Sequence, residues 1–166
     1  VNKRVPADNK LVYAITNLGR DKSALVLMDP ATCEELEQLY TNDKYDLGGL
    51  WYSDAQKKLL GVSYEGHKGK TRYFFDKATE EMLGRMERHL RGYEIGIGGS
   101  NKAEDKYIVY AGGDRTMGAY YFYDVKSDTM TKLADLAPWI DEQQMAEMTP
   151  VTYTSRDGLE IEGYLT

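Results

Sequence analysis

The sequence predicts an all-β fold made of repeated four-stranded units. Two observations support this prediction: an internal repeat of about 48 residues, and the order of strands and turns within each repeat. The repeat begins with three segments that align 48 residues apart, at 6–15, 54–63 and 102–111. Alanine recurs at the second position of each segment and lysine at the fifth (Ala7, Ala55, Ala103; Lys10, Lys58, Lys106).

A second block of the repeat lies further along each unit and ends in an aspartate. Residues 25–29, 72–76 and 120–124 align there, with steps of 47 and 48 residues. The block closes each time with Asp29, Asp76 or Asp124, and Thr32, Thr79 or Ser127 follows three residues later. Because two separate blocks agree in three copies, the units are predicted to share one structure.

Each unit is predicted to contain four short strands separated by turn residues. We expect strands at 47–53, 58–64, 71–76 and 81–88 in the middle unit, and at 93–100, 106–111, 119–124 and 129–134 in the last. Four strands in roughly 40–50 residues is the size of one β-propeller blade. The sequence therefore predicts three blades, at about 1–41, 46–89 and 93–135, in a partial β-propeller domain spanning 1–136.

The blade count predicts that the chain is part of a larger propeller. Propellers close with roughly 4–8 blades, so further blades are expected before Val1. An open set of blades leaves sheet edges exposed, and we expect these edges to favour a homo-oligomer.

The pattern changes after the third blade. Residues 137–149 are predicted to form a linker with a short helix at about 139–146, because Pro138 suits the first turn of a helix. Residues 150–166 then alternate around Asp157-Gly158, a pair typical of a hairpin turn with both central residues at positive φ.

Composition excludes several classes of partner. The net charge is −6 and the basic residues are interleaved with acids, which argues against nucleic acid. The longest apolar runs, such as 24–28, are far shorter than the roughly 20 residues of a membrane span, so no membrane partner is expected. The single Cys33 cannot form an internal disulfide, which leaves a cytoplasmic or a bacterial periplasmic location open.

No residue is assigned as catalytic, cofactor-binding or metal-binding. His67 and His89 are 22 residues apart, and Cys33 has no evident partner, so no metal site is predicted. The repeated aspartates are expected to accept hydrogen bonds from backbone N–H groups of the following turn. The sequence predicts no cofactor.

Four further patterns are given structural explanations. The glycine-rich segment 96–100 precedes another predicted strand rather than a helix, so it is not a phosphate loop. Ser100 lacks the final glycine of a nucleophile elbow. Three acidic pairs could suggest glycoside hydrolysis (Glu34 and Glu35, Glu80 and Glu81, Glu142 and Glu147). The first two pairs are expected in equivalent hairpin turns, where exposure to solvent is the simpler explanation. The basic cluster is attributed to the edge of an outer strand (Arg85, Arg88, Arg91).

The segment 150–166 is similar to the junction between propeller and hydrolase domain in the prolyl oligopeptidase and acylaminoacyl peptidase family of serine peptidases. The similarity rests on Ser155-Arg156-Asp157-Gly158 and on Gly163-Tyr164-Leu165. It implies that 150–166 begins an α/β-hydrolase domain carrying a Ser-Asp-His triad. It further implies that the propeller caps the active site and restricts access to short peptides. The nucleophile elbow, a Gly-x-Ser-x-Gly turn, is absent from this sequence.

Three hypotheses of function remain open. The first is a non-catalytic propeller fragment of such a peptidase, with its own hydrolase domain and short peptides as partners. In that case the fragment is not an enzyme, although the parent protein is. The alternative is a free-standing propeller that acts as a protein-binding scaffold. The third is a propeller enzyme acting on polysaccharide through carboxylates on its axis.

Overall fold

The computed structural model describes residues 3–4, 10–67 and 69–166, with side chains from Lys10 onward; the repeat position Ala7 lies outside these ranges. The strands are β1 (Lys3–Arg4), β2 (Val12–Thr16), β3 (Ala24–Met28), β4 (Glu35–Thr41), β5 (Leu47–Ser53), β6 (Lys58–Gly66), β7 (Gly69–Phe74), β8 (Glu94–Ser100), β9 (Lys106–Gly113), β10 (Thr116–Asp124), β11 (Thr129–Asp135), β12 (Thr149–Thr154) and β13 (Glu160–Leu165). One α-helix, α1 (Lys77–His89), and one 3-10 helix (Glu142–Gln144) are also described.

The first and third sheets are four-stranded antiparallel meanders, as expected of propeller blades. Their strands neighbour one another in chain order, β1-β2-β3-β4 and β8-β9-β10-β11. In the third sheet the four strands lie within one to three residues of the predicted bounds. The prediction of an all-β fold with blade-type sheets is confirmed.

The middle sheet has three strands, β5-β6-β7, so the predicted fourth strand at 81–88 is wrong. Those residues belong to α1. The side chains of Thr79, Met82, Leu83, Met86 and Leu90 are buried, a spacing of three and four residues that matches the helical period. No Val, Ile or Thr occurs between Thr79 and Ile95, so the segment also lacks the β-branched residues that favour a strand.

Both ends of α1 have recognisable signals. Asp76 is the N-cap: its carbonyl accepts from the N–H of Glu80 at 3.1 Å, and its carboxylate accepts from the N–H of Thr79 at 2.9 Å. After the helix, the turn through Gly92 has a φ of +88°, which glycine adopts without strain. The cap at Asp76 thus begins the helix after β7, and the turn at Gly92 ends it before β8.

The chain divides into two compact units at residues 80 and 81. In the first unit, the first and second sheets share an apolar core. Leu25 from the first sheet packs with Leu47, Leu59 and Val62 from the second, and seven half-buried side chains, four of them tyrosines, surround them. Because Tyr tolerates a surface that is apolar at one end and wet at the other, the tyrosine-rich composition suits this core.

In the second unit, α1 contacts the third sheet. Arg85 and His89 are one helical turn apart, and both face Tyr123 of β10. The ring of Tyr123 is fully buried, and the rings of His89 and Tyr123 lie 6.1 Å apart in an edge-on arrangement. The helix thus lies against β10, the third strand of this sheet in chain order.

The linker is less helical than predicted. The 3-10 helix covers only Glu142–Gln144, capped by Asp141, and the predicted helix over 139–146 is wrong in extent. The side chain of Asp141 caps this helix by accepting from the N–H of Gln143 at 3.0 Å, and the backbone is extended again at Met145, which ends the helix after one turn.

The C-terminal hairpin is present, with β12 and β13 paired from Thr149 and Leu165 to Thr154 and Glu160. Of the two central turn residues, only Gly158 has positive φ, at +87°. Its N–H donates to the carbonyl of Ser155, so the turn is a longer loop than the two-residue type predicted. None of the described helices is long and apolar enough to cross a membrane.

Candidate functional site

The repeated aspartates do what the sequence predicts, and they hold turns. Asp29 accepts from the N–H of Ala31 at 2.7 Å, and Asp124 accepts from the N–H groups of Lys126 and Ser127 at 3.0 and 3.2 Å. These bonds replace ladder hydrogen bonds at the point where each third strand ends. Asp29 and Asp124 are therefore explained by local backbone structure.

Asp76 makes the most contacts of the three. Besides capping α1, its carboxylate accepts from the hydroxyl of Thr79 at 2.7 Å and forms an ion pair with Lys58 at 2.5 Å. The Lys58 ammonium and the bonds from Thr79 lower the pKa of Asp76 to about 2. Lys58 is the repeat lysine, so two positions that recur in every unit meet in the middle one.

One polar cluster, formed by Tyr123, His89 and Asp128, was missed from the sequence. The hydroxyl of Tyr123 donates to Asp128 at 2.6 Å, and Nε2 of His89 lies 3.2 Å from the same carboxylate oxygen. Asp128 has a φ of +51°, in the left-handed region, at the turn between β10 and β11. His89 and Asp128 are 39 residues apart, and only the helical assignment of 77–89 brings the histidine to this turn.

This cluster is suited to fixing structure rather than to acyl transfer. Burial, followed by the bond to Asp128, raises the pKa of Tyr123 to about 12, so its phenol stays protonated near neutral pH. The bond from Tyr123, followed by His89, holds the pKa of Asp128 below its usual value. A protonated donor, a carboxylate and an imidazole fasten the end of α1 to the β10–β11 turn. His67, the other histidine, lies at a hairpin tip, where its backbone N–H donates to the hydroxyl of Tyr45.

The other patterns occupy ordinary places in the fold. The glycine-rich segment 96–100 lies in β8, and the chain continues into β9 as predicted. Glu35 begins β4 and pairs with Arg20 at 2.5 Å, whereas Glu80 and Glu81 lie in α1; the expected equivalence of these two acidic pairs is wrong. The predicted strand edge for Arg85 and Arg88 is likewise the helix. In residues 10–67 and 69–166, no three His, Cys, Asp or Glu side chains lie close enough to hold a metal ion.

The most conspicuous surface of the second unit is apolar. We call residues 136–148 the Trp139 loop, because Trp139 is 80% exposed there, and Leu136, Met145 and Met148 are also exposed. The hairpin that follows exposes Tyr153 and other apolar side chains. Sequence reasoning did not identify this surface, since exposure depends on where the loop is tied to the sheet.

Neither a comparison of the sequence with models of protein families nor one with curated proteins finds a match. Similarity appears in the three-dimensional structure. Prolyl oligopeptidase B from Galerina marginata, in its apo form, matches with a TM-score of 0.57 at 16% identity, over 98% of this chain and 23% of that one. The same enzyme bound to a 25mer macrocyclization substrate gives 0.62 at 17% identity, over 98% and 22%.

A prolyl endopeptidase structure gives a TM-score of 0.60 at 14% identity, over 98% of this chain and 24% of that one. The chain therefore spans roughly a quarter of the length of the proteins it matches. At these identities the similarity concerns the fold, and it includes both the blade-type sheets and the C-terminal hairpin. The resemblance indicated by the junction sequence is confirmed at that level: this chain has the fold of a segment of prolyl oligopeptidases.

Proposed function

We propose that this chain is the non-catalytic propeller part of a serine peptidase of the prolyl oligopeptidase type. It caps the active site of an attached α/β-hydrolase domain and restricts access to short peptides. The chain supplies no catalytic group of its own.

One observation carries the proposal: the match to prolyl oligopeptidases extends over 98% of the chain, through the sheets and into the hairpin. A free-standing scaffold would account for the sheets, but it gives no reason for a hairpin of this sequence after the last blade. The junction residues Gly163-Tyr164-Leu165, at the end of β13, add support from the sequence.

The reading frame beyond Thr166 provides the first test. We expect a Gly-x-Ser-x-Gly elbow within about 100–200 residues, followed by Asp and His in hydrolase order. A frame that closes soon after Thr166 would contradict the proposal and favour the binding scaffold.

Substrate length provides the second test. The full-length protein should cleave a short chromogenic peptide and leave the same sequence uncut when it is placed in a surface loop of a folded protein. An unfolded form of the same protein is the control. It carries the same cleavage sequence in a flexible chain, so cleavage there shows that the enzyme recognises the sequence and that the fold had prevented access. Equal cleavage of the peptide and the folded protein would show that the propeller does not restrict entry.

Chain 1–166 alone is expected to hydrolyse neither aminoacyl nor acylpeptide chromogenic substrates. Turnover that a serine-directed inhibitor abolishes, in a preparation of this chain, would place a catalytic group within it.

A further inference from the structure

The Trp139 loop exposes more apolar surface than its length requires. Trp139 is 80% exposed, and Leu136, Met145 and Met148 are each 42–43% exposed. A single exposed apolar side chain is ordinary, but four large ones within 13 residues of sequence make this loop a candidate interaction site. Trp and Met are also enriched in the buried centres of protein interfaces.

Hydrogen bonds hold this loop to the third blade at both ends. The N–H of Leu136 donates to the carbonyl of Gly118 at 2.9 Å, and the N–H of Met148 donates to the Asp114 carboxylate at 2.6 Å. The exposure of Trp139 is therefore not the result of a loose segment, because the backbone on either side is fixed to the sheet.

The middle of the loop is fixed as well. The hydroxyl of Tyr93 donates to Glu142 at 2.9 Å, and the same bond raises the pKa of Tyr93. Asp141 accepts from the N–H of Gln143 and from the side chain of Gln144. A loop ordered before binding loses little conformational entropy when a partner covers it. The backbone that carries Trp139 is thus already fixed before a partner binds.

The charge of the loop restricts the partner. Residues 134–149 contain four acids and no Lys or Arg (Asp135, Asp141, Glu142, Glu147). Nucleic acid and anionic lipid would be repelled. The complementary surface is that of a folded protein, with an apolar pocket for the indole and basic residues at its rim.

The position of the loop in the chain indicates which folded protein is its partner. The loop runs directly into β12 and β13, and the face that carries Tyr153 and Leu165 is exposed beside it in sequence, with the two side chains 57% and 65% accessible. The matched structures are about four times as long as this chain, so most of each one is a body that has no counterpart here.

We propose that the Trp139 loop is the docking surface for the hydrolase domain, with Trp139 as its anchor. The inference rests on the proposed function. It adds that the indole ring inserts into an apolar pocket of that domain, that Met145 and Met148 cover the edges of the pocket, and that the acids of the loop face basic residues at its rim.

Hydroxyl-radical footprinting of the full-length protein tests this directly. Trp139 is more exposed than Tyr73 in this chain, at 80% against 45%, and indole is the more reactive ring. If the loop is free, Trp139 is modified faster than Tyr73. If the hydrolase domain covers it, the order is inverted, and Met145 and Met148 are protected together with it.

A substitution gives a second measurement. Trp139→Ala in the full-length protein should raise the rate of proteolysis within 136–148 about tenfold, as expected when an interface anchor is lost. Trp139→Phe should restore part of the protection. Leu18→Ala, at a residue that is 70% exposed in the first unit, is the matched control and should change nothing.

The outcomes separate the two proposals. A downstream hydrolase domain together with rapid modification of Trp139 overturns the docking surface and leaves the proposed function standing. Protection that disappears on dilution shows that a second copy covers the loop, which also overturns the inference. A reading frame without a hydrolase domain overturns the proposed function itself.

Discussion

At the scale of single residues, each unit closes its third strand with an aspartate, and the partners of this aspartate differ from unit to unit. The side chains of Asp29 and Asp124 accept from backbone N–H groups of the next turn, whereas Asp76 also caps a helix and pairs with Lys58. The sequence predicted the shared role, because an acceptor is needed wherever a strand gives way to a turn. It did not predict the additional role, since that depends on the residues that follow.

Asp76 should make stability depend on pH in the acid range. Its pKa in the fold is about 2, below the ordinary value of 3.8, so the fold favours the ionised form. This stabilisation is complete above about pH 4 and is lost as the pH falls towards 2. Asp76→Asn should lower the free energy of unfolding by about 1 kcal/mol near neutral pH and flatten its acid dependence, as measured by urea unfolding between pH 2 and pH 7.

Asp54→Asn makes the same change of charge in an exposed turn and serves as the control. A wild-type acid dependence in Asp76→Asn would show that the depressed pKa does not stabilise the fold.

At the scale of secondary structure, the strands were predictable and the helix was not predicted. Each strand of the third sheet is bounded by turn residues, which fixes its position from local sequence. The repeat alignment, however, ends at Thr79, and the fourth strand of the middle unit was inferred from the turn residues before it. The helical spacing of Met82, Leu83, Met86 and Leu90 was available in the sequence and is the stronger signal.

The helix predicts a stabilising substitution at Gly84. In the interior of a helix, Ala is favoured over Gly by about 1 kcal/mol. A Cβ at Gly84 would meet only the end of the Arg88 side chain, at 3.8 Å, so there is room for it. Gly84→Ala should raise the free energy of unfolding by about that amount. An unchanged or lowered stability would contradict the regular backbone and the open space that the structure places at this position.

Gly118 and Gly158 form a pair that separates backbone strain from steric overlap. Both have φ near +86°, at +85° and +87°. A Cβ at Gly158 would meet nothing within 4 Å, whereas one at Gly118 would overlap the Ala111 carbonyl and the Tyr110 ring. Gly158→Ala should therefore cost about 1 kcal/mol, and Gly118→Ala more than ~2–3 kcal/mol. Equal losses in thermal unfolding would show that the third sheet relaxes around the added methyl group.

At the scale of the whole molecule, the sheets end in exposed strands. The outermost strand of the third sheet, β11, has six of its seven residues exposed, including Leu133 at 55%. Exposed edges offer unpaired backbone groups to another chain. The position of β11 followed from the repeat. The geometry of the Trp139 loop did not follow from the repeat, because it depends on hydrogen bonds to residues 18 or more positions away in sequence, such as Gly118.

We expect self-association of chain 1–166 through such edges. Leu133→Lys places a charge on β11 and should weaken the association about tenfold in sedimentation equilibrium. Leu18→Lys, at an exposed apolar residue outside any strand, should not. A monomeric wild-type chain, or equal effects of the two variants, would contradict association through this edge.

The substitution of a helix for an outer strand after Asp76 has a consequence for engineering. The three inner strands of the middle unit keep their order and pairing although the segment after them has changed its secondary structure. The periphery of a unit is thus a position where foreign segments can be grafted. A graft that begins after Asp29 or Asp124 would inherit an acceptor that suits either a turn or the first turn of a helix, and its own sequence would decide between them.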